Sequence, residues 1–197
     1  MRKIGLALIA LALAGCQSPQ TAVAPPPPAA AVPPVPQQPV VQPQPVESAG
    51  PLKQAEVGTY MDAQEADLRE YLRGQGVLVA RRGDALMLSV ASDRIFDNAA
   101  TSAWGNAFLA SLYQVLGHYD HTAVEVNAYT DATGSAEQNL AVSQVRAKAI
   151  TAALARLGLA SSRLTANGYG AANPKVADPK DARNRRIEIK ITPTPQG

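Results

Sequence analysis

The sequence predicts a mixed α/β domain of the α+β type, with helices packed on one face of a mixed sheet, preceded by a disordered proline-rich linker. Three observations support this prediction. Segments of period-two hydrophobicity alternate with segments of helical periodicity through the second half of the chain. Twelve of the sixteen prolines fall between Pro19 and Pro51, so the chain is not one uniform globule. The length of 197 residues suits one domain or two small ones.

Residues 1–15 have the features of a bacterial signal peptide. Arg2 and Lys3 form a basic start, and the apolar run that follows at 4–14 is shorter than the roughly 20 residues that span a bilayer. The run ends in Leu-Ala-Gly-Cys16, which resembles the lipobox of bacterial lipoproteins. The resemblance implies cleavage before Cys16 and its acylation by chains such as palmitate, which anchor stably when there are two or more. An ordinary signal peptide with a chance cysteine is the alternative.

The residues after Cys16 suggest a destination and a spacer. Because Gln17 and not Asp follows the cysteine, the implied destination is the outer membrane, with the folded part in the periplasm. Residues 17–46 carry no charge and consist mainly of Pro, Ala, Val and Gln. Such a composition cannot bury enough surface to fold and favours extended polyproline II. We therefore predict that 16–51 comprise the lipidated cysteine and a linker.

A helical lead-in is predicted at residues 52–76. Its polar helix at 53–73 has Leu68 and Leu72 one turn apart, and it ends at the glycines that follow. Alternating or β-branched runs between turn residues then predict five strands: 77–80, 86–90, 122–129, 163–169 and 185–191. In the last strand the isoleucines at 187, 189 and 191 share one face.

Two longer helices are predicted between these strands. The first carries an apolar stripe: Trp104, Phe108, Leu112, Val115 and Tyr119. The second begins at a capping box formed by Ser135 and Gln138 and ends at Gly158. Its predicted buried stripe consists of Val142, Val145, Ala149, Ala153 and Leu157.

Charge and composition argue against several functions. Eighteen Lys and Arg face sixteen Asp and Glu, and the numbers become equal if Arg2 and Lys3 leave with the signal peptide. This balance gives no general case for a nucleic-acid partner. A single cysteine excludes an intrachain disulfide and a cysteine metal cluster. His118 and His121 flank a turn without an evident third ligand, so a metal site is disfavoured, and we expect no cofactor.

One polar cluster is predicted at an end of the domain. Asp131 falls between a strand end and a helix start, and Arg146 lies on that helix with Asn139 and Ser143 along the same edge. A helix N-terminus and an arginine can hold a carboxylate, while Asp131 can hold an ammonium, so the cluster suits a zwitterion. An Asp131–Arg146 pair that only caps the fold is the alternative, and the residues alone do not decide between them.

Three motifs in this region resemble those of the OmpA-like peptidoglycan-binding domain family. They are Thr-Asp131-Ala-Thr-Gly, Val142-Ser-Gln-Val-Arg146-Ala and Asn-Arg185-Arg-Ile-Glu-Ile. Val142 stands where the family usually has Leu, a harmless core exchange. The resemblance covers roughly 78–191 and implies a βαβαβ sandwich at 77–192 with a tail at 193–197. Residues 61–65 and 81–84 also resemble the lipoprotein subgroup of this family.

The resemblance implies a non-enzymatic protein that binds the diaminopimelate of peptidoglycan and tethers the outer membrane to the cell wall. Asp131 and Arg146 would be the paired ligands of diaminopimelate. The residues implied around them are Thr130, Phe96, Asp97, Asn139 and Ser143. Asp97 is followed by a segment that lacks the family's usual Ser-Leu features. Arg185 rather than Arg186 is the arginine expected near the site, with a buried ion pair as its alternative role.

Two other functions compete with this one. A muramyl hydrolase is disfavoured, because a carboxylate beside a guanidinium has a lowered pKa and makes a poor general acid. A periplasmic protein–protein scaffold or envelope assembly factor is the stronger rival. It would act through the helix at 53–73, with a second copy or other envelope proteins as partners.

Overall fold

The computed structural model describes residues 50–98 and 100–195. The predicted signal peptide, Cys16 and nearly all of the linker lie outside these residues. The helices are α1 (Val57–Tyr71), α2 (Ser92–Ile95), α3 (Ala103–His118) and α4 (Ala136–Leu157). The strands are β1 (Leu78–Arg82), β2 (Ala85–Ala91), β3 (Phe96–Asp97), β4 (Ala100–Thr101), β5 (Thr122–Tyr129), β6 (Leu164–Gly168) and β7 (Arg186–Pro193).

A five-stranded mixed sheet organises the domain in the order β1-β2-β7-β5-β6. Only β5 and β6 run parallel; β1–β2, β2–β7 and β5–β7 pair antiparallel. The central strand β7 places Ile187, Ile189 and Ile191 in the core, as the alternation predicted. The register sets Ile189 between Leu88 and Val126, so the three apolar rows lie side by side. The predicted mixed α/β fold is confirmed.

The lead-in helix α1 belongs to the same core as the sheet. Its apolar face, which includes Val57, Met61 and Leu68, is buried in one cluster with the apolar residues of β2, α3 and β7. Outside that face, Arg81 of β1 bonds Asp62 at 2.7 Å and ties the helix to the hairpin. In the part of the chain that the structure describes, no helix has the length and apolar character needed to cross a membrane.

The predicted buried stripe of α4 is wrong at three of its five residues, whereas Ala153 is buried and Ala149 packs against the core. Val142, Val145 and Leu157 are 42%, 61% and 40% exposed. The capping box of Ser135 with Gln138 and the helix end at Gly158 are confirmed. The face that packs on the sheet is instead the following set: Asn139, Ser143, Ala147, Ile150, Ala153 and Leu154.

Close approach to β6 sets the orientation of α4. A Cβ added to Gly168 would lie 2.3 Å from the Gln144 backbone nitrogen, so only glycine admits the helix here. The Ser143 hydroxyl accepts a hydrogen bond from the backbone nitrogen of Gly170 at 2.8 Å, which holds this helix face against the strand end. Ser143 therefore faces the strand end, and the two exposed valines remain on the outer side.

Candidate functional site

Asp131 lies just after β5, where the chain turns toward α4, and each oxygen of its carboxylate accepts a hydrogen bond from the protein. Its Oδ1 accepts a hydrogen bond from the Thr133 backbone nitrogen at 2.9 Å, and its Oδ2 accepts one from Arg185 Nη1 at 2.7 Å. Burial tends to raise the pKa of this carboxyl, but the bonds from Arg185 and Thr133 outweigh burial, so the pKa lies below its ordinary value. Asp131 is therefore anionic at neutral pH.

Arg185 bridges two carboxylates immediately before β7. Its Nε and Nη2 donate to Oδ2 of Asp93 at 2.8 and 2.6 Å, while Nη1 donates to Oδ2 of Asp131. These hydrogen bonds, those to Asp93 first, raise the pKa of the Arg185 guanidinium. The prediction that Arg185 rather than Arg186 lies beside Asp131 agrees with this geometry. Arg186 instead donates to Glu188 at 2.7 Å on the polar face of the sheet.

Arg146 is half-buried and is not the hydrogen-bonding partner of Asp131. Its guanidinium lies 5.6 Å from the centre of the Phe96 ring. Among residues 50–98 and 100–195, none forms a hydrogen bond or ion pair with it. Burial lowers the pKa of Arg146, while the nearby charges of Asp93 and Asp131 raise it and Arg185 lowers it. The alternative of a direct Asp131–Arg146 pair is thus wrong: Asp131 pairs with Arg185, and Arg146 has no such partner among the described residues.

Three neighbours of Asp131 shape the site. Asn139 donates its amide to the Thr133 carbonyl at 3.1 Å and holds the turn after Asp131. Ser143 is fully buried and donates to the Leu140 carbonyl at 2.8 Å, so it supports the site from within. Thr130 differs from both, because its buried hydroxyl has no hydrogen-bond partner in the described structure. That oxygen is buried, so it does not face a ligand directly.

The two remaining predicted residues lie on β3. Phe96 is buried and forms one wall of an apolar cleft of about 360 Å³. This cleft also contains Arg146 and the exposed valines of α4. Asp97 is exposed and accepts a hydrogen bond from the Asn98 side chain at 3.2 Å. Within the described residues, no hydrogen bond or ion pair joins Asp97 to the Asp131 cluster.

Asp93 is a site residue that the sequence reasoning missed. It stands 92 positions from Arg185, and no local pattern joins the two. The pairing of β2 with β7 is the signal that could have indicated Asp93. That ladder ends at Ala91 and Arg186, so it places Asp93 and Arg185, which flank these ends, close together. The Ser92 backbone nitrogen also donates to the Arg185 carbonyl at 2.9 Å.

The two histidines that suggested a metal lie elsewhere. His118 packs edge-on against Tyr119, and His121 lies against Tyr60. Within residues 50–98 and 100–195, no group of three or more His, Cys, Asp or Glu side chains could hold a metal ion.

Comparison with known families identifies this region. Residues 96–188 match the model of the OmpA family. Residues 96–188 form an OmpA family domain. The probable lipoprotein YiaD of Escherichia coli strain K12 is 41% identical over 143 residues, which cover 70% of this chain and 65% of that protein. The chain therefore spans slightly less than two thirds of this relative's length.

Solved structures share the fold of this OmpA family domain. A putative MotB like protein from Desulfovibrio vulgaris aligns with a TM-score of 0.62 at 21% identity, over 73% of this chain and 97% of that one. The cell wall anchor of the T6SS from Pseudomonas aeruginosa aligns with a TM-score of 0.56 at 23% identity, over 66% and 96%. At these identities the likeness concerns the fold alone.

Proposed function

We propose that this protein binds peptidoglycan non-covalently, through the diaminopimelate of the stem peptide. The observation that carries the proposal is the charge arrangement around Asp131. Two carboxylates, Asp93 and Asp131, and two guanidiniums, Arg185 and Arg146, lie at one end of the sheet. Three of the four charges are bonded to one another, and Arg146 has no such bond. A ligand that adds a carboxylate at Arg146 and an ammonium near Asp131 keeps the whole set neutral.

The free terminus of diaminopimelate supplies both of these groups on one carbon. Its carboxylate would form a charge-assisted pair with Arg146, which offers five donors in a planar fork. Its ammonium would donate to Asp131. A carboxylate has about four lone-pair sites, so Asp131 can accept this ammonium while it keeps its bonds to Arg185 and Thr133. The hydrocarbon chain of the ligand would lie along the apolar cleft beside Phe96.

Binding without catalysis is the role that suits this site. A general acid works best when its pKa is close to the working pH. The pKa of Asp131 lies below its ordinary value, so this residue holds no proton to donate at neutral pH. We therefore propose a binding protein and not a muramyl hydrolase.

An envelope tether follows from combining this site with the proposed anchor. The relative in Escherichia coli is named a probable lipoprotein, which supports acylation at Cys16. Gln17 after that cysteine supports an outer-membrane location. Residues 1–15 would be the signal peptide and 16–51 the anchor and spacer. The lead-in at 52–76 would then precede the domain at 77–192 and the tail at 193–197. The scaffold alternative is weaker because the apolar face of α1 lies in the domain's own core.

The test is sedimentation of the full chain, in detergent, with purified sacculi of the diaminopimelate type. The parent should bind, and Asp131→Ala and Arg146→Ala should each bind at least tenfold more weakly. Asp84→Ala and Arg156→Ala are matched controls, because both remove an exposed charge away from the cluster, and both should bind like the parent. Circular dichroism establishes that each variant is folded.

Two results would overturn the proposal. One is a folded parent that does not sediment with the sacculi. The other is equal binding by the parent and both site variants, because wall binding would then not involve this cluster. Release of soluble wall fragments on incubation would contradict the non-enzymatic role.

A further inference from the structure

Asp93 is a half-exposed carboxylate at the rim of the cluster around Asp131. Its Oδ2 accepts hydrogen bonds from both Nε and Nη2 of Arg185, at 2.8 and 2.6 Å. Its Oδ1 accepts no hydrogen bond from residues 50–98 or 100–195, and the side chain is 51% exposed. Neither the sequence motifs nor the proposed diaminopimelate contacts use this oxygen. Asp93 therefore has an unused, charged acceptor that a ligand can reach.

The segment that carries Asp93 is fixed to the rest of the domain. On one side, the Ser92 backbone nitrogen donates to the Arg185 carbonyl at 2.9 Å. On the other, a Cβ added to Gly105 would lie 2.3 Å from the Ile95 carbonyl oxygen, so α3 packs directly against the end of α2. The two hydrogen bonds from Arg185 then hold the Asp93 side chain in one orientation. A free oxygen on a fixed side chain is an oriented acceptor, and little conformational entropy is lost when it binds a ligand.

Asp93 lies close to the other charged groups of the cluster. Because Asp93 and Asp131 both bond the single guanidinium of Arg185, the two carboxylates are neighbours. Phe96, three residues after Asp93, has its ring centre 5.6 Å from the Arg146 guanidinium. The charge of Asp93 also raises the pKa of Arg146 more than the charge of Asp131 does. Asp93 and Arg146 form no ion pair in the described structure, so opposite charges lie near each other without contact.

The ammonium of a bound ligand needs more than one acceptor. It brings three N–H donors, and a donor left unpaired in a site costs free energy. Asp131 already accepts bonds from Thr133 and Arg185, and its side chain is only 9% exposed. We propose that Asp93 accepts the ammonium through Oδ1, together with Asp131, and makes the site specific for a carboxylate that has an amine beside it. This inference rests on the proposed function and adds a specificity-determining residue to it.

The charge balance of the cluster leads to the same role. Two carboxylates and two guanidiniums offset each other, so a zwitterion leaves the site neutral, whereas an anion without an amine leaves it with a net negative charge. Replacement of Asp93 by Asn removes one carboxylate and leaves the empty cluster positive. The variant should then accept a plain carboxylate at Arg146 more readily and gain less from the amine. Asp93 thus determines which ligand is preferred, while Arg146 still provides the contact to the carboxylate.

The test compares two stem tripeptides by calorimetric titration of the full chain. One ends in diaminopimelate, and the other ends in α-aminopimelate, which has the same terminal carboxylate without the amine beside it. The parent should prefer the diaminopimelate peptide by about tenfold or more, and Asp93→Asn by about threefold or less. Asp93→Asn should bind the α-aminopimelate peptide at least as tightly as the parent does, which also shows that the variant is folded. Asp84→Asn is the matched control, because it removes an exposed carboxylate from the turn between β1 and β2, and it should keep the preference of the parent.

The outcomes separate this inference from the proposed function. A parent without a preference, or a folded Asp93→Asn variant that keeps the preference of the parent, would overturn the inference. If that variant binds both peptides more weakly by the same factor, Asp93 only holds Arg185 in place, and the inference is again overturned. In each of these cases, sacculus binding that depends on Asp131 and Arg146 would still stand. Failure of the proposed function is a different result, because it is measured on sacculi with the Asp131 and Arg146 variants alone.

Discussion

Arg163 stabilises the junction of α3 and β5, and its replacement by Met should cost a large part of the domain's stability. Its Nε donates to the Thr122 carbonyl at 2.7 Å, and Nη1 to the Leu116 carbonyl at 3.0 Å. Its Nη2 donates to the Tyr119 carbonyl at 2.7 Å and to the Thr122 hydroxyl at 2.9 Å. Two of these carbonyls belong to the C-terminal end of α3, which has no intrahelical donors for them.

The magnitude follows from those four hydrogen bonds. Each contributes about 1 kcal/mol net, and bonds from a charged donor contribute more. Partial rehydration of the carbonyls reduces the loss, so Arg163→Met should lower the free energy of unfolding by about 3 kcal/mol. Urea unfolding of the full chain, followed by far-UV circular dichroism, measures it. With an m-value of about 2 kcal/mol/M, the midpoint should fall by roughly 1.5 M.

Arg156→Met is the matched control for this loss. Arg156 is an exposed arginine in the last turn of α4, where a cation contributes about 0.3–1 kcal/mol through the helix dipole. Its replacement should shift the midpoint by less than 0.5 M, again at about 2 kcal/mol/M. A shift for Arg163→Met no larger than that of the control would refute the reasoning.

Three further predictions concern stability and pH. Gln64 is fully buried and neither of its amide atoms has a partner in the described structure, so Gln64→Leu should raise the free energy of unfolding by about 1 kcal/mol; a loss would contradict this. Gly168→Ala places a Cβ 2.6 Å from Ser143 Oγ and should destabilise by about 2 kcal/mol and weaken sacculus binding. Gly58→Ala, where the Cβ meets nothing within 4 Å, should do neither. The folded pKa of Asp131 lies below the unfolded value of about 3.9. Its stabilisation is therefore complete above that value and disappears as the pH falls through the folded pKa. In urea unfolding at a series of pH values, Asp131→Asn should thus lose less stability than the parent below about pH 4, by roughly 1 kcal/mol, the net contribution of one such hydrogen bond. Equal losses would show that the Asp131 carboxylate contributes none.

The parts of the fold that could be predicted are those determined by local pattern. The alternation of isoleucines in β7 and the capping box of α4 follow from neighbours a few residues apart. The buried face of α4 could not be predicted in this way, because the helix has apolar residues on two faces. The choice between them is made by a long-range contact, the fit of the Gln144 backbone against Gly168.

The candidate site, like the fold, could be predicted only where the signal is local in sequence. Asp131 and Arg146 could be predicted because their motifs are short and sequential, and both lie at the same end of the domain. The arginine that pairs with Asp131 is determined by contacts between segments far apart in the sequence. The position of β7 brings Arg185 Nη1 to 2.7 Å from Asp131 Oδ2. Asp93 was not predicted for the same reason, because the pairing of β2 with β7 is what brings Arg185 close to it.

The most direct test of the central claim compares two soluble stem tripeptides, one ending in diaminopimelate and one in lysine, which lacks the carboxylate proposed to bind Arg146. The full chain and its Arg146→Ala variant are each titrated calorimetrically with both peptides. The four affinities form a cycle that isolates the interaction between Arg146 and this carboxylate. A charge-assisted hydrogen bond contributes about 1.5–3 kcal/mol, so the parent should prefer the diaminopimelate peptide at least tenfold, and Arg146→Ala should bind the two peptides equally. Equal binding by the parent, or a preference that persists without Arg146, would contradict the account.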